Sequence, residues 1–296
     1  MIRTTSRVYR WMGVWLVLLL LGVAPPRARA ADVEILPDLI YGHKDGMALT
    51  LDVIKPKANP NGAAIIYMVS GGWVSRWVPA EQTAARFAFL LDNGFTVIAV
   101  RHGSSPKYFV PEAVVDVRRA VQFVRYHAKE WGVDPERLGV HGGSAGGHLS
   151  LIVALAPDAG DPKAEEPFLR ESNRVASVVA YYPPVDLRDW ARGVVPVTPD
   201  QRFPALNFDR EQAPALSPIW FVTSAAPPTL LIPGDSDRTV PISHSQRLFQ
   251  ALQEKSVKSA FITLPGADHG FQGADLEKAQ AATLKWFQET LGPTKK

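Results

Sequence analysis

Residues 138–149 read Leu138-Gly139-Val140-His141-Gly142-Gly143-Ser144-Ala145-Gly146-Gly147-His148-Leu149. An apolar strand, Leu138 to His141, runs into glycines around one serine, and a second apolar stretch, Leu149 to Ala156, continues as a helix. In that setting Gly142-Gly143-Ser144-Ala145-Gly146 is the G-x-S-x-G nucleophile elbow. So tight a turn brings the positions two before and two after Ser144 against neighbouring backbone, and glycine stands at both. It points the Ser144 hydroxyl out of the sheet edge. It also sets the Ala145 N–H at a helix N-terminus, where the dipole favours negative charge. The five-residue string alone is weak and would also fit an ordinary glycine-rich turn; the strand before it and the helix after it give it weight.

A serine hydroxyl is a poor nucleophile without a base, and the base needs an orienting acid. In this arrangement the expected chain order is Ser, then Asp or Glu, then His. Downstream, Leu230-Leu231-Ile232-Pro233-Gly234-Asp235-Ser236-Asp237 is an apolar strand ending in acids, and Leu264-Pro265-Gly266-Ala267-Asp268-His269-Gly270-Phe271 follows another strand. Both put polar residues just past strand C-termini, where ligands bind in open α/β sheets. His269 is the candidate base. His43 sits in a turn, His127 on a helix, His102 after a strand and His244 at a helix start, while His141 and His148 flank the elbow. His148 reads as a packing or hydrogen-bonding residue beside the site. Asp237 is the preferred acid and Asp235 the alternative, the latter also suited to capping its own turn. Asp268 adjoins His269 in sequence and is badly placed to reach its ring.

Acyl transfer also needs donors for an oxyanion. Ser70-Gly71-Gly72-Trp73 follows the apolar run Ala63 to Val69, and Gly71 and Gly72 with Ala145 are the expected oxyanion hole. Trp73, Trp77 and residues 184–216 are expected to shape the substrate pocket.

The remaining pattern places this site at the edge of an α/β sheet. His43-Lys44-Asp45-Gly46 reads as a hairpin turn, and Thr96–Val100, Val175–Tyr182, Thr229–Ile232 and Ser259–Leu264 as further strands. Helices are expected over Ala80–Asp92, Pro111–Trp131, Ser243–Lys255 and Leu276–Leu291, the second carrying Val114, Val117, Val121, Val124 and Ala128 on one face. Alternating strands and helices imply a mostly parallel central sheet with helices on both faces, and the leading hairpin implies an antiparallel edge. Residues 184–216, rich in Pro, Arg and Asp, read as a small cap-like insertion in a single domain over 31–296.

The chain has 296 residues, with 46% hydrophobic and 21% charged, as in a globular protein. It has no cysteine, which excludes disulfides, thiol nucleophiles and thiolate metal sites. The formal charge of +3 comes from the first residues: 1–31 hold five arginines and no acid, and without them 27 basic and 29 acidic residues remain, a net of −2. A nucleic-acid partner therefore has no electrostatic support. Arg3, Arg7 and Arg10, the apolar run Trp11 to Val23 and Ala28-Arg29-Ala30 have the three-part layout of a secretory signal peptide over 1–30. The apolar run is shorter than a membrane span. Export to the periplasm or exterior is expected, without stable membrane association after cleavage.

These residues together resemble the α/β-hydrolase superfamily, and within it the carboxylesterases related to hormone-sensitive lipase, including the bacterial feruloyl-esterase-like group. The resemblance runs from Ile40 to Leu291. It rests on Ser70-Gly71-Gly72-Trp73, Asp134-Pro135-Glu136-Arg137, Gly143-Ser144-Ala145-Gly146-Gly147-His148, Gly234-Asp235-Ser236-Asp237 with Val240-Pro241, and His269-Gly270-Phe271. In the family pattern the acid is the second Asp of such a segment, which favours Asp237. The resemblance implies hydrolysis of a small-molecule or polymer ester through an acyl-enzyme, with no cofactor and no metal. Where the family usually has His-Gly-Gly-Gly, this chain has Val69-Ser70-Gly71-Gly72; the histidine that braces that loop is missing. Two rival readings are a peptidase of the prolyl-oligopeptidase kind, which shares the triad order, and a non-catalytic binding protein on the same scaffold.

Overall fold

The computed structural model describes residues 32–190 and 203–292. The expected signal peptide lies outside them, as do residues 191–202 of the expected insertion.

Eight strands form one sheet in the order β1-β2-β4-β3-β5-β6-β7-β8. β1 (Val33–Lys44) and β2 (Met47–Pro56) are the antiparallel hairpin, turning at Asp45-Gly46. β2 pairs antiparallel with β4 (Thr96–Arg101). From there every pairing is parallel, through β3 (Ala64–Val69), β5 (Leu138–Gly143), β6 (Ser177–Tyr181), β7 (Thr229–Ile232) and β8 (Ser259–Phe261). The fold is that of an α/β-hydrolase.

The strands are apolar throughout because both faces are covered. In β3 the two faces alternate: Ala64, Ile66 and Met68 join the core under α3 (Val110–His127) and α4 (Ala145–Leu155), while Ile65 and Tyr67 face the other core. That second core holds Phe87, Leu90 and Leu91 together with Trp286 and Phe287 of α6 (Gly273–Thr290). On α3 the predicted stripe Val114, Val117, Val121 and Val124 is buried, and the Glu112 carboxylate accepts the Phe109 N–H at its start. α5 (Ser243–Glu254) buries Leu248 and Leu252.

Several element ends differ from the sequence reading, among them these. The helix expected over Ala80–Asp92 is broken at Phe87 (φ −106°, ψ 19°) into α1 (Ala80–Arg86) and α2 (Ala88–Leu91). Phe87 is buried with its ring 4.6 Å from that of Tyr67, and tertiary packing overrides helix periodicity there. β8 ends at Phe261, and only an isolated bridge, Gly234 to Leu264, continues the pairing. α4 begins at Ala145, directly after the serine, four residues before the apolar stretch that signalled it. The described parts of 184–216 fold as short 3-10 turns, and Ala205, Leu206, Phe208, Ala213 and Leu216 bury against the α4 side of the core.

Candidate active site

Ser144 stands between β5 and α4 at φ 54°, ψ −124°, a left-handed conformation that costs a non-glycine residue about 1–3 kcal/mol. The turn folds back so closely that a Cβ on Gly142 would come within 2.4 Å of Gly146 backbone, and one on Gly146 within 2.6 Å of the Met68 carbonyl oxygen. Only glycine fits either position.

The loops after β7 and β8 converge on this serine. His269 Nε2 lies 2.9 Å from Ser144 Oγ, and His269 Nδ1 lies 2.7 Å from Asp237 Oδ2. A carboxylate can only accept, so Nδ1–H donates to Asp237 and Nε2 is left to accept the Ser144 O–H. The other oxygen of Asp237 accepts the Thr239 and Val240 N–H groups, each at 2.8 Å. Asp237 is thus fixed by its own loop, with its side chain 1% exposed, while the His269 ring is 22% exposed.

The other two acids do different work. Asp235 Oδ1 accepts the Gly266 N–H at 2.7 Å, tying the β7 loop to the β8 loop. Asp268 accepts the N–H groups of His269 and Arg238, and those bonds hold its carboxyl below the usual range. Neither reaches the His269 ring.

The expected oxyanion donors divide. Gly71 N–H donates to the Val74 carbonyl at 3.0 Å, and Val74 N–H returns the bond to Gly71. The expectation that Gly71 serves the hole is therefore corrected: its N–H is spent inside its own turn. Gly72 (φ 57°) and Trp73 (φ 58°) are the two central residues of that turn, both left-handed as a tight hairpin turn requires. Among the described residues the N–H groups of Gly72 and Ala145 have no protein acceptor.

Two histidines brace this turn. His148, fully buried, accepts the Trp73 Nε1–H at Nδ1 (3.3 Å) and donates from Nε2 to the Leu216 carbonyl (2.7 Å). Burial pulls its pKa down to about 4, so the ring is neutral as this pattern needs. His102, at the end of β4, is also pushed down by burial. Its Nδ1 donates to the Gly103 carbonyl and its Nε2, at 2.8 Å, accepts from Ser70 Oγ. The sequence reading found no brace for the turn. Nothing local marks His102, because the contact joins residues 32 positions apart.

Two hollows meet at Ser144. One is small and apolar, about 20 Å³, walled by Gly72, Trp73, Pro184, Trp190, Phe203, Leu206 and Val240. A single water needs about 10–15 Å³ on that measure. The other is a wide cleft of about 690 Å³ that includes Tyr67, Ser70, Tyr182, His269 and Gly270. Tyr182 packs its ring 4.6 Å from that of His269, and burial pushes its hydroxyl up to about 12. Trp73 lines the apolar hollow as expected. Trp77 does not: it is 61% exposed, donates to Asp38 Oδ1 at 3.1 Å, and lines a separate depression with Met47 and Tyr108. Its neighbours Arg76 and Val78 face the cleft instead, so chain alternation turns Trp77 the other way.

This geometry can be set beside known proteins. Among solved structures, a truncated carbohydrate esterase from gut microbiota superposes with a TM-score of 0.74 at 26% identity, covering 90% of this chain and 99% of that one. Propionate-bound esterase 2 of the planctomycete Thermogutta terrifontis gives 0.71 at 25% identity, covering 92% and 99%. A probable carboxylic ester hydrolase of Mycobacterium tuberculosis, LipM, is 28% identical over 79% of this chain. The chain spans 56–60% of the length of LipM and of two further mycobacterial esterases, LipQ and LipC. The profile of the BD-FAE family matches residues 51–252, more than half of the chain and including Ser144 and Asp237. On that match and this fold, the chain belongs to the BD-FAE family of α/β-hydrolases.

Proposed function

We propose that this protein is an exported serine esterase that hydrolyses carboxylic esters with short acyl groups. The observation that carries the reading is the pair of contacts on one imidazole, 2.9 Å to the Ser144 hydroxyl and 2.7 Å to Asp237. As Ser144 Oγ attacks the ester carbonyl, its proton passes to His269 Nε2, and Asp237 stabilises the imidazolium through Nδ1–H. The N–H groups of Gly72 and Ala145, the latter at the start of α4, receive the negative oxygen. His269 then gives its proton to the leaving alcohol. Water repeats the sequence on the acyl-enzyme and frees the acid. Further support comes from the esterases among its relatives and structural neighbours. The short acyl preference rests on the small apolar hollow beside Ser144, and export rests on the signal-like residues 1–30.

The test is hydrolysis of p-nitrophenyl esters from acetate to decanoate by the chain from Ala31 onward, with methyl ferulate alongside. Acetate and propionate are expected to be cleaved best, decanoate and methyl ferulate at least about a hundredfold less efficiently, and Ser144→Ala to abolish turnover. Hydrolysis that survives Ser144→Ala would sink the reading. Secretion of the full chain, with a mature N-terminus at Ala31, tests export.

A further inference from the structure

We propose that the wide cleft takes an alcohol part bearing a carboxylate, held by Arg86 and Arg76. This rests on the ester-hydrolase reading and names its substrate class.

Mechanism decides which hollow receives which half of the ester. The leaving oxygen must face His269 Nε2, the group that protonates it. The wide cleft includes His269 and Gly270, whereas the small apolar hollow does not reach that ring. The alcohol therefore lies in the cleft and the acyl group in the hollow.

The cleft is charged in one direction. Arg76 and Arg86 line it, and no Asp or Glu does among the described residues. Among the described residues neither guanidinium has a carboxylate partner, whereas Arg101, Arg119, Arg125, Arg174, Arg188 and Arg247 are paired. Arg118, Arg137 and Arg170 also lack one, but each bonds a backbone carbonyl, as Arg76 and Arg86 do not. Arg86 is not loose: its guanidinium lies 5.4 Å over the Tyr67 ring, itself part of the cleft wall. Gln82, one turn earlier on the same face of α1, lines the cleft with it. Bulk charge does not explain the pair, because beyond residue 31 the chain is net negative. A planar guanidinium fork matches a carboxylate in two parallel hydrogen bonds, which a neutral sugar or alkyl alcohol cannot use. The carboxylate can belong to a small hydroxy acid or to an acidic sugar in a polymer.

The experiment compares kcat/KM for 4-(carboxymethyl)phenyl acetate and 4-methylphenyl acetate, whose phenols are of similar acidity, in wild type, Arg86→Gln, Arg86→Lys and Arg76→Gln/Arg86→Gln. The readout is the charged-to-neutral ratio within each protein, which cancels any general loss of folding or activity. A wild-type ratio above one is expected. It should fall about 3–10-fold in Arg86→Gln and further in the double variant, stay within about twofold in Arg86→Lys, and shrink as salt screens the contact. Acetylated galacturonate oligomers, run against acetylated xylose oligomers, separate the two sources. Preference for the acidic oligomer without preference for the small ester points to a polymer, and preference for both to any carboxylate near the ester. A wild-type ratio at or below one on both pairs, or a ratio unchanged in the double variant, overturns the subsite while neutral-ester hydrolysis stands. Absence of serine-dependent hydrolysis on every ester overturns the underlying reading as well.

Discussion

Ser70 Oγ and His102 Nε2 are 2.8 Å apart, fastening the turn after β3 to the end of β4. Because His102 Nδ1 donates to the Gly103 carbonyl, the ring offers Nε2 as an acceptor, and the Ser70 hydroxyl donates into it. The same two loops are joined again by Ser105 N–H to the Trp73 carbonyl and by Ser75 N–H to Ser104 Oγ. The turn that presents Gly72 is therefore held from outside its own sequence.

If that fastening keeps Gly72 aimed at the oxyanion, Ser70→Ala should lower kcat about tenfold and move KM by no more than about twofold, since preorganised donors act on the transition state. Steady-state kinetics on p-nitrophenyl acetate check it. A rise in KM at constant kcat would assign Ser70 to substrate binding instead.

Asp237 and Asp235 should separate by orders of magnitude. Asp237→Asn leaves the His269 tautomer unsupported, and a kcat loss of about 10⁴ is expected by comparison with triads generally. The Asp235 carboxylate accepts the Gly266 N–H and the Ser236 O–H, neither of them a reacting group, so Asp235→Asn should cost less than about tenfold in kcat. Equal losses would show that the loop tie matters as much as the imidazole contact.

Two glycines should differ in their tolerance of a methyl group. A Cβ at Gly146 meets the Met68 carbonyl oxygen at 2.6 Å, so Gly146→Ala is expected to cost about 1–3 kcal/mol or more and lower Tm by several degrees. At Gly71 a Cβ meets nothing within 4 Å, and Gly71→Ala should stay within about 0.5 kcal/mol of wild type. Thermal unfolding of the two variants side by side decides it.

His141 and His148 are both pulled down to about 4 by burial, from 6.5 in the unfolded chain. Between those values the unfolded state binds the extra protons, so stability is full above pH 6.5 and is lost as pH falls toward 4. Each ring contributes a slope of about 1.4 kcal/mol per pH unit in that window. Urea unfolding at pH 5 and 6.5 should give a smaller pH slope for His141→Gln than for wild type. Identical slopes would mean that the ring is not held neutral.

Much of this was legible locally. The Asp45-Gly46 turn, the apolar run of β3, the apolar face of α3 and the glycines beside Ser144 are short-range patterns, each dictated by a few residues of backbone. The order Ser144, Asp237, His269 was readable because each follows a strand whose C-terminal end must reach the same sheet edge. Other features were not. The helix break at Phe87 comes from packing on Tyr67, which belongs to another strand.

By itself, then, the sequence determined the sheet, most of its helices, the elbow serine Ser144 and the loops that carry the acid and His269 toward it, because local backbone preference and strand direction suffice for those. The tertiary structure decided that Asp237 rather than Asp235 faces the imidazole, that Gly71 spends its N–H on Val74, that Trp77 turns away to Asp38, and that His102 holds Ser70. Each depends on which way a loop side chain or amide points toward a partner, most of them tens of residues away. Only packing of the whole chain sets that direction.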